Sequence, residues 1–493
     1  MENYITASML YDLIRCPHRV TLDLYGDPGK RDPVSGFVKL LWEKGTAFEE
    51  EVIDGLEMSY TDLSPLHEEV KEGATIKAMG SGDALIYQGQ ISSAGLLGRP
   101  DLLRKAGDGY VAGDIKSGAG LEGGTDMEEG KLKKHYAVQL ALYTDILKRI
   151  GLSSGEAPFV WDIHGREIRY DLNAPQSAQN PDTLWELYQN TLEIARAIVG
   201  KKEKTLAAYA SECKQCHWHS FCKSQVHRSQ DLTLIPGLGR SRRNIMMDHI
   251  LNLHQMAHCQ LENYIRGDKT IFHRIGPSTL TKFRNRARLL LDPNARPYAT
   301  EPINFPETGK ALFYDVETDP FRDICYLHGF IEQIDGNANS ERYVQFLARA
   351  PTPEEEEKAF REAWAYIRDS QPCAVYYYSA YEKTTLRKLR NKYPDVAEEA
   401  DIEALFDSKN TIDLYNDIVT QKTEWPTNDY SIKTLATYLG FDWRDEDPSG
   451  ASSIEWYHRW IDTGEEAIKK RILDYNEDDC VAMRVLVEGV KNL

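Results

Sequence analysis

Leu312-Phe313-Tyr314-Asp315-Val316-Glu317-Thr318 reads as an apolar strand that ends in two acids. Side chains alternate across a strand, so Asp315 and Glu317 share one face. The strand is predicted over Ala311–Val316 and belongs to an α/β region that begins at about residue 297. Downstream, Val375-Tyr376-Tyr377-Tyr378 is a second buried-looking strand, which runs into Ser379-Ala380-Tyr381-Glu382 and a helix over Lys383–Arg390. Near the end of the chain, Tyr475-Asn476-Glu477-Asp478-Asp479 opens a helix over Cys480–Val490. Tyr475 and Asp479 are four positions apart and share a face if that helix extends back to Tyr475.

The first half has a comparable arrangement. Short β runs are predicted over Ala84–Ile91, Gly95–Arg104 and Tyr110–Lys116, with Ser-Ser and Gly-Asp-Gly turns between them. The opening forty-odd residues read as helix. A second helix starts near Leu40 and carries Gly45-Thr46-Ala47-Phe48-Glu49-Glu50. Further helices are predicted over Leu132–Ile150 and Thr183–Val199, and Gly118 to Gly130 is a Gly- and Glu-rich loop. In Gly113-Asp114-Ile115-Lys116 the acid and the lysine share a strand face, and Asp101 of Gly98-Arg99-Pro100-Asp101 lies on the preceding strand. With Glu49 these make three carboxylates beside one ammonium. A hard divalent cation held by carboxylates polarises a phosphate and lowers the pKa of a bound water, while a lysine orients the nucleophile or offsets charge. Asp-x-Lys alone is common in unrelated proteins. The element order and Gln139-x-x-x-Tyr143, one helical turn apart, give it weight.

At 493 residues the chain exceeds the size of one hydrophobic core, so two or three domains are expected. A hydrophobic content of 41% and a charged content of 28% are those of an ordinary globular protein. No apolar run is long enough to cross a bilayer, and Met1-Glu2-Asn3-Tyr4 lacks the pattern of a secretory signal. A cytoplasmic location without a membrane partner is expected. The net charge of −18 counts mildly against a polyanionic partner, although acids that gather cations also contribute to it.

Of the eight cysteines, Cys213, Cys216 and Cys222 crowd together. A disulfide framework is not expected in a large intracellular chain, so the cluster points to a metal. On spacing alone it suits zinc, with His217 or His219 as fourth ligand. Cys259, Cys325, Cys373 and Cys480 are expected to be buried thiols. Ile235-Pro236-Gly237-Leu238-Gly239-Arg240, a hairpin between short helices, would offer backbone N–H groups to a phosphate, with Arg242 and Arg243 close by. Ile275-Gly276-Pro277-Ser278, followed by Lys282, Arg284, Arg286 and Arg288, is a weaker copy. A glycine turn before a solvated basic helix fits both equally well. The acidic run Glu354–Glu357 is expected to be a solvated helix start.

In order, Glu49, Asp101, Asp114-x-Lys116 and Gln139-x-x-x-Tyr143 resemble the RecB-like branch of the PD-(D/E)xK nucleases. The resemblance implies that Glu49, Asp101 and Asp114 bind metal and that Lys116 is catalytic. It also implies that Gln139 and Tyr143 support the site or contact nucleic acid. Many relatives have His where Glu49 stands, and Glu50 is an alternative for the same role. Cys16, in Ile14-Arg15-Cys16-Pro17, together with Cys213, Cys216 and Cys222, resembles the iron–sulfur type of that branch. This implies a [4Fe–4S] cluster that pins the two ends of the domain together, with Zn²⁺ as the alternative. The Pro236–Gly239 turn resembles helix-hairpin-helix DNA-binding motifs, which contact the backbone and not the bases.

Asp315, Glu317, Glu382, Tyr475 and Asp479 resemble the DEDD exonucleases of the ribonuclease H-like fold, in the subclass whose last motif is Tyr-x-x-x-Asp. That implies two Mg²⁺ or Mn²⁺ ions held by the four acids and a water positioned by Tyr475. The family usually has Asp where Glu382 stands, and Asp413 of Ile412-Asp413-Leu414 is a substitute. The Ser431–Gly440 helix with Lys433 also resembles a recurrent segment of that family.

The expected architecture is α/β and multidomain. A restriction-endonuclease-like α/β core spans 1–228, a small helical linker domain 229–296 and a ribonuclease H-like α/β domain 297–493. The expected function is metal-dependent hydrolysis of DNA, at single-stranded or end substrates and 3′→5′ at the C-terminal site. Repair, processing or defence is the setting, a helicase is a candidate partner, and RNA is the other candidate substrate. Two rivals stand beside it: one live site with the other half acting as a nucleic-acid clamp, and a non-enzymatic scaffold for a helicase or defence complex.

Overall fold

The computed structural model describes residues 4–123, 130–177 and 180–493, so part of the expected 118–130 loop lies outside the described residues. The chain forms two compact units, Met1–Ala207 with Ser211–Cys222, and Ala208–Ala210 with Lys223–Leu493. Among the described residues no helix is long and apolar enough to cross a membrane.

In the first unit the expected opening helix is two helices, α1 (Ala7–Arg15) and α2 (Pro17–Tyr25). Cys16 between them is extended, at φ −159° and ψ 103°. A residue before proline is driven out of the helical region, and proline suits a helix start because its missing N–H is not needed there. Helix α3 (Gly36–Asp54) begins ahead of the expected Leu40, capped by the Ser35 hydroxyl, which accepts from the Val38 amide.

Six strands form the main sheet: β1 (Thr61–Asp62), β2 (Leu85–Tyr87), β3 (Leu102–Ala106), β4 (Gly109–Ile115), β5 (Phe159–Trp161) and β6 (Glu167–Arg169). Their order across it is β6-β5-β4-β3-β2-β1. The β2–β3 and β3–β4 pairs are antiparallel, while β4 and β5 run parallel. The expected strand Gly95–Arg104 is interrupted. Leu96–Gly98 pairs with Ile5–Thr6 and Ile91–Ser93 in a separate small sheet. Pro100 lacks the N–H a ladder needs, and pairing resumes at Leu102, which leaves Asp101 at the bend. Every residue of β4 is buried. Helix α4 (Lys134–Arg149) packs on α1, on β4 and on α5 (Leu184–Val199), enclosing Leu10, Leu103, Leu140 and Val160. Each such aliphatic side chain contributes roughly 1.5–3 kcal/mol by its burial.

The second unit starts with helices, including α6 (Gly239–Met246) and the longer α7 (Pro277–Leu291). Its sheet consists of β7 (Lys310–Asp319), β8 (Ile324–Ile334), β9 (Asn337–Leu347), β10 (Ala374–Tyr377) and β11 (Thr411–Asp413), in the order β9-β8-β7-β10-β11. Strands β7, β8 and β9 form an antiparallel meander, and β10 and β11 continue it in parallel. The helices around it include α8 (Pro353–Asp369), α9 (Tyr381–Lys392), α10 (Ile432–Tyr438), α11 (Gly450–Thr463) and α12 (Glu466–Lys491).

Two expectations change here. The acidic start of α8 is not wholly solvated: Glu356 is buried, and it accepts hydrogen bonds from the Cys325 amide at 2.6 Å and the Tyr393 hydroxyl at 2.6 Å, with Lys392 as counter-ion. Tyr475 lies well inside α12, which starts at Glu466, so Tyr475 and Asp479 do occupy successive turns of one helix.

Candidate active sites

In the second unit β7 holds Asp315 and Glu317 on one face, and α12 crosses that face with Asp479. Ligand oxygens of Asp315, Glu317 and Asp479 all lie within 4.8 Å of one another. Burial, then the charge of Asp479, pushes the Asp315 carboxyl well above its ordinary range, against the pull of Lys433 and Asn476. Glu317 is raised by burial, then by Asp315 and Asp479. So many carboxylates in a dry volume cannot all stay charged without a cation, which is the donor set a hard divalent ion takes.

Glu382, on the first turn of α9, is outside that close group but feels it: burial and then Asp315 raise its carboxyl. Its Oε2 is buried without a hydrogen-bond partner, an oxygen suited to a cation. Asp413 is committed elsewhere. It caps the turn after β11 by accepting from the Asn416 amide at 2.9 Å, and it also accepts from the Ser379 amide at 3.1 Å.

Lys433 and Trp443 complete the group. Lys433 Nζ donates to Asp479 Oδ1 at 2.9 Å and to the Tyr475 hydroxyl at 3.1 Å. Trp443 Nε1 donates to the same Asp479 oxygen at 2.7 Å. Lys433 lay in a segment flagged by resemblance, whereas nothing in the sequence pattern points to Trp443.

The first unit gathers its residues more loosely. The bend at Asp101 brings its Oδ2 to the Ile115 amide at 2.9 Å, and Lys116 Nζ sits 2.8 Å from Asp114 Oδ2. Glu49 reaches the site from α3, where its Oε1 accepts from the Tyr87 hydroxyl at 3.0 Å and from Gln88 Nε2. Gln88 also donates to Asp101 Oδ1 at 3.4 Å, so its amide bridges two of the expected ligands. Gln88 sits at φ 55° between two strands, and that turn offers no sequence signal beyond its polarity. Glu49, Asp101 and Asp114 do not close to the 4.8 Å group that the second unit forms.

Burial, then Asp114, raises the Asp101 carboxyl well above its usual range. For Lys116 burial opposes the charge, but Asp114 and Asp101 outweigh it and its pKa moves up. Tyr143 donates to the Arg99 carbonyl at 3.3 Å, and after burial it is Asp114 and Asp101 that raise its phenol. One turn earlier on α4, Gln139 Oε1 is buried without a hydrogen-bond partner.

The segment carrying Cys213, Cys216 and Cys222, which runs into the helix His219–Ser229, lies against α2, the helix that follows Cys16. Asp23 of α2 accepts from Trp218 Nε1 at 2.9 Å and lies 2.7 Å from His217 Nε2. Burial raises the Cys216 thiol, and Cys16 is among the charges that add to the shift. All four thiols are half-buried and free of disulfides, and no three of them come within 4.8 Å of one another. Among the other cysteines Cys325, Cys373 and Cys480 are buried, while Cys259 is only half-buried.

The middle segment uses several of its cations internally. Arg243 is 2% exposed and pairs with Asp231 at 2.8 Å. Arg286 pairs with Glu424 at 2.7 Å and donates to the Pro236 carbonyl at 2.7 Å. Arg288 donates to the Ala257 carbonyl at 2.8 Å, and Lys282 to the Thr420 carbonyl at 3.2 Å. The Pro236–Gly239 turn does join a short helical turn, Leu232–Leu234, to α6. The expected second copy instead follows a small β-hairpin, Ile265–Arg266 with Lys269–Thr270.

In comparison with known families, residues 31–223 match the PD-(D/E)XK nuclease superfamily and residues 312–490 the RNase H superfamily. No curated protein matches the chain.

Proposed function

We propose that this mixed α/β multidomain chain, with a PD-(D/E)XK nuclease domain over 31–223 and an RNase H-like domain over 312–490, is a two-site, metal-dependent DNA nuclease. The observation that carries the reading is the convergence of Asp315, Glu317 and Asp479 within 4.8 Å. In the second site these acids and Glu382 would hold Mg²⁺ or Mn²⁺, and the Tyr475 hydroxyl, beside Lys433, would orient the attacking water. Such an ion, when bound, would supply polarisation of the phosphate and a lower pKa for that water. The order of Asp315, Glu317, Glu382, Tyr475 and Asp479 supports a 3′→5′ exonuclease. In the first site Glu49, Asp101 and Asp114 hold the ion, Lys116 offsets charge on the phosphate, and Gln139 and Tyr143 support the strand. Single-stranded or end substrates in repair, processing or defence fit this pair of activities.

Cys16, Cys213, Cys216 and Cys222 would hold a [4Fe–4S] cluster, which four thiolates satisfy and which would tie the two ends of that unit together. The packing of the 213–222 segment on α2 and the influence of Cys16 on Cys216 support this donor set. Anaerobic purification with about four iron and four sulfide per chain is the expected result. Zinc without iron would replace the cluster with a structural ion.

The test of the main reading uses labelled single- and double-stranded DNA with Mn²⁺. Cleavage should stop with chelator, and Asp315→Ala and Asp114→Ala should each remove a different part of it. Complete loss in one variant alone means a single live site. No cleavage under any condition means a binding scaffold.

A further inference from the structure

We infer that Trp42 is a stacking platform for an unpaired base of the strand entering the first site, an inference that rests on the nuclease reading of Glu49, Asp101 and Asp114. Positions 42, 45, 49 and 53 of α3 fall on one helical stripe. At its C-terminal end the stripe is anchored in the core through Ile53, which is 5% exposed. One turn earlier Glu49 faces Tyr87 and Gln88 at the site. A further turn back, a β-carbon on Gly45 would stand 3.7 Å from Ser117 Oγ, next to Lys116. The stripe therefore runs out of the core, over the site, and ends at Trp42.

At that end the stripe lies largely open among the described residues. Trp42 is 62% exposed, more than any other large hydrophobic side chain among the described residues, and each of the other eight tryptophans is buried or half-buried. It stands two helical turns, roughly 10 Å, from Glu49. Tryptophan is costly to leave in water and offers a broad π face. Lys39 lies one turn before it, so an aromatic face comes with a cation beside it. A cation beside a single aromatic suits a polyanion with exposed bases rather than an apolar protein patch. A paired base in a duplex has its faces already stacked, so the platform selects single-stranded ends.

The experiment uses the full chain carrying Asp315→Ala, which silences the other site, and measures Mn²⁺-dependent kcat/KM. The substrates are oligo-dT and an abasic deoxyribose-phosphate oligomer of equal length. Trp42→Ala should lower kcat/KM on oligo-dT roughly tenfold or more, through KM, and leave the abasic oligomer unchanged. Trp42→Phe, which keeps a ring, should retain most of the activity. An equal loss on both substrates, or no loss on either, overturns the inference while the nuclease reading stands. If the Asp315→Ala parent cuts neither substrate, the nuclease reading of this site fails and the inference fails with it.

Discussion

Asn476 Nδ2 donates to Asp315 Oδ2 at 2.7 Å, across 161 residues of sequence, and the Asn476 Oδ1 accepts from the Tyr343 hydroxyl at 2.8 Å. The amide is fully buried and gives Asp315 a neutral donor among carboxylates that repel it. The space for it comes from Gly329, opposite Asp315 on β8: a β-carbon there would stand 1.5 Å from Asn476 Oδ1. Gly329→Ala and Asn476→Ala should each lower cleavage by the second site, in an Asp114→Ala background, by roughly 10- to 100-fold. The double variant should be no worse than Asn476→Ala alone, because the clash has lost its partner. Additive losses would show that Gly329 does not act through Asn476.

Lys433 neutralises part of the acid group through Asp479. Lys433→Met should therefore lower the melting temperature of the metal-free protein by about 2–4 °C per kcal/mol of lost pairing. It should also enlarge the stabilisation produced by Mn²⁺, because the ion then relieves more repulsion. Thermal melts with and without Mn²⁺ measure both. An unchanged Mn²⁺ shift would mean that Lys433 is not a counter-charge for these acids.

Asp114 and Asp101 raise the Lys116 pKa against its burial, so on the proposed reading Lys116 would serve as a positive charge rather than a base. Lys116→Arg should keep a measurable fraction of first-site cleavage, whereas Lys116→Met should lose about 10²-fold or more. The alkaline limb of the pH–rate profile should be the same in wild type and Lys116→Arg. A limb that disappears in the arginine variant would instead assign the lysine a proton-transfer role.

Glu167 at the edge of the first sheet is lowered to about 2, first by its hydrogen bonds from Arg104 and further by Trp161. A depressed carboxylate stabilises the fold above its unfolded pKa and loses that contribution as pH falls toward the folded value, here from about 4.5 to about 2. With the pair 24% and 27% exposed, screening reduces the contribution to the order of 1–2 kcal/mol. Glu167→Gln should lower stability at pH 7 and flatten its fall below pH 4.5, as read by urea unfolding of the full chain. Parallel pH curves for variant and wild type would rule the pair out as an acid-sensitive contact.

Local spacing was legible from the sequence because the backbone imposes it. Asp315 and Glu317 share a face by strand alternation, and Tyr475 and Asp479 by helical period, whereas the breaks at Pro17 and Pro100 read as continuous helix and strand. The pairing of neighbouring acids was visible on those grounds, whereas the roles of Glu49 and Glu382 and the inclusion of Cys16 came from resemblance to known families. Packing alone decided what distant segments bring together. It set Asn476 against Asp315 in the space left by Gly329, Gln88 between Glu49 and Asp101, and Trp443 with Lys433 on Asp479. It also turned Arg243, Arg286 and Glu356 inward, where a charged helix face reads as solvated. Charge along a chain does not say which partner will desolvate it; that depends on contacts between segments whose separation in sequence carries no periodic signal.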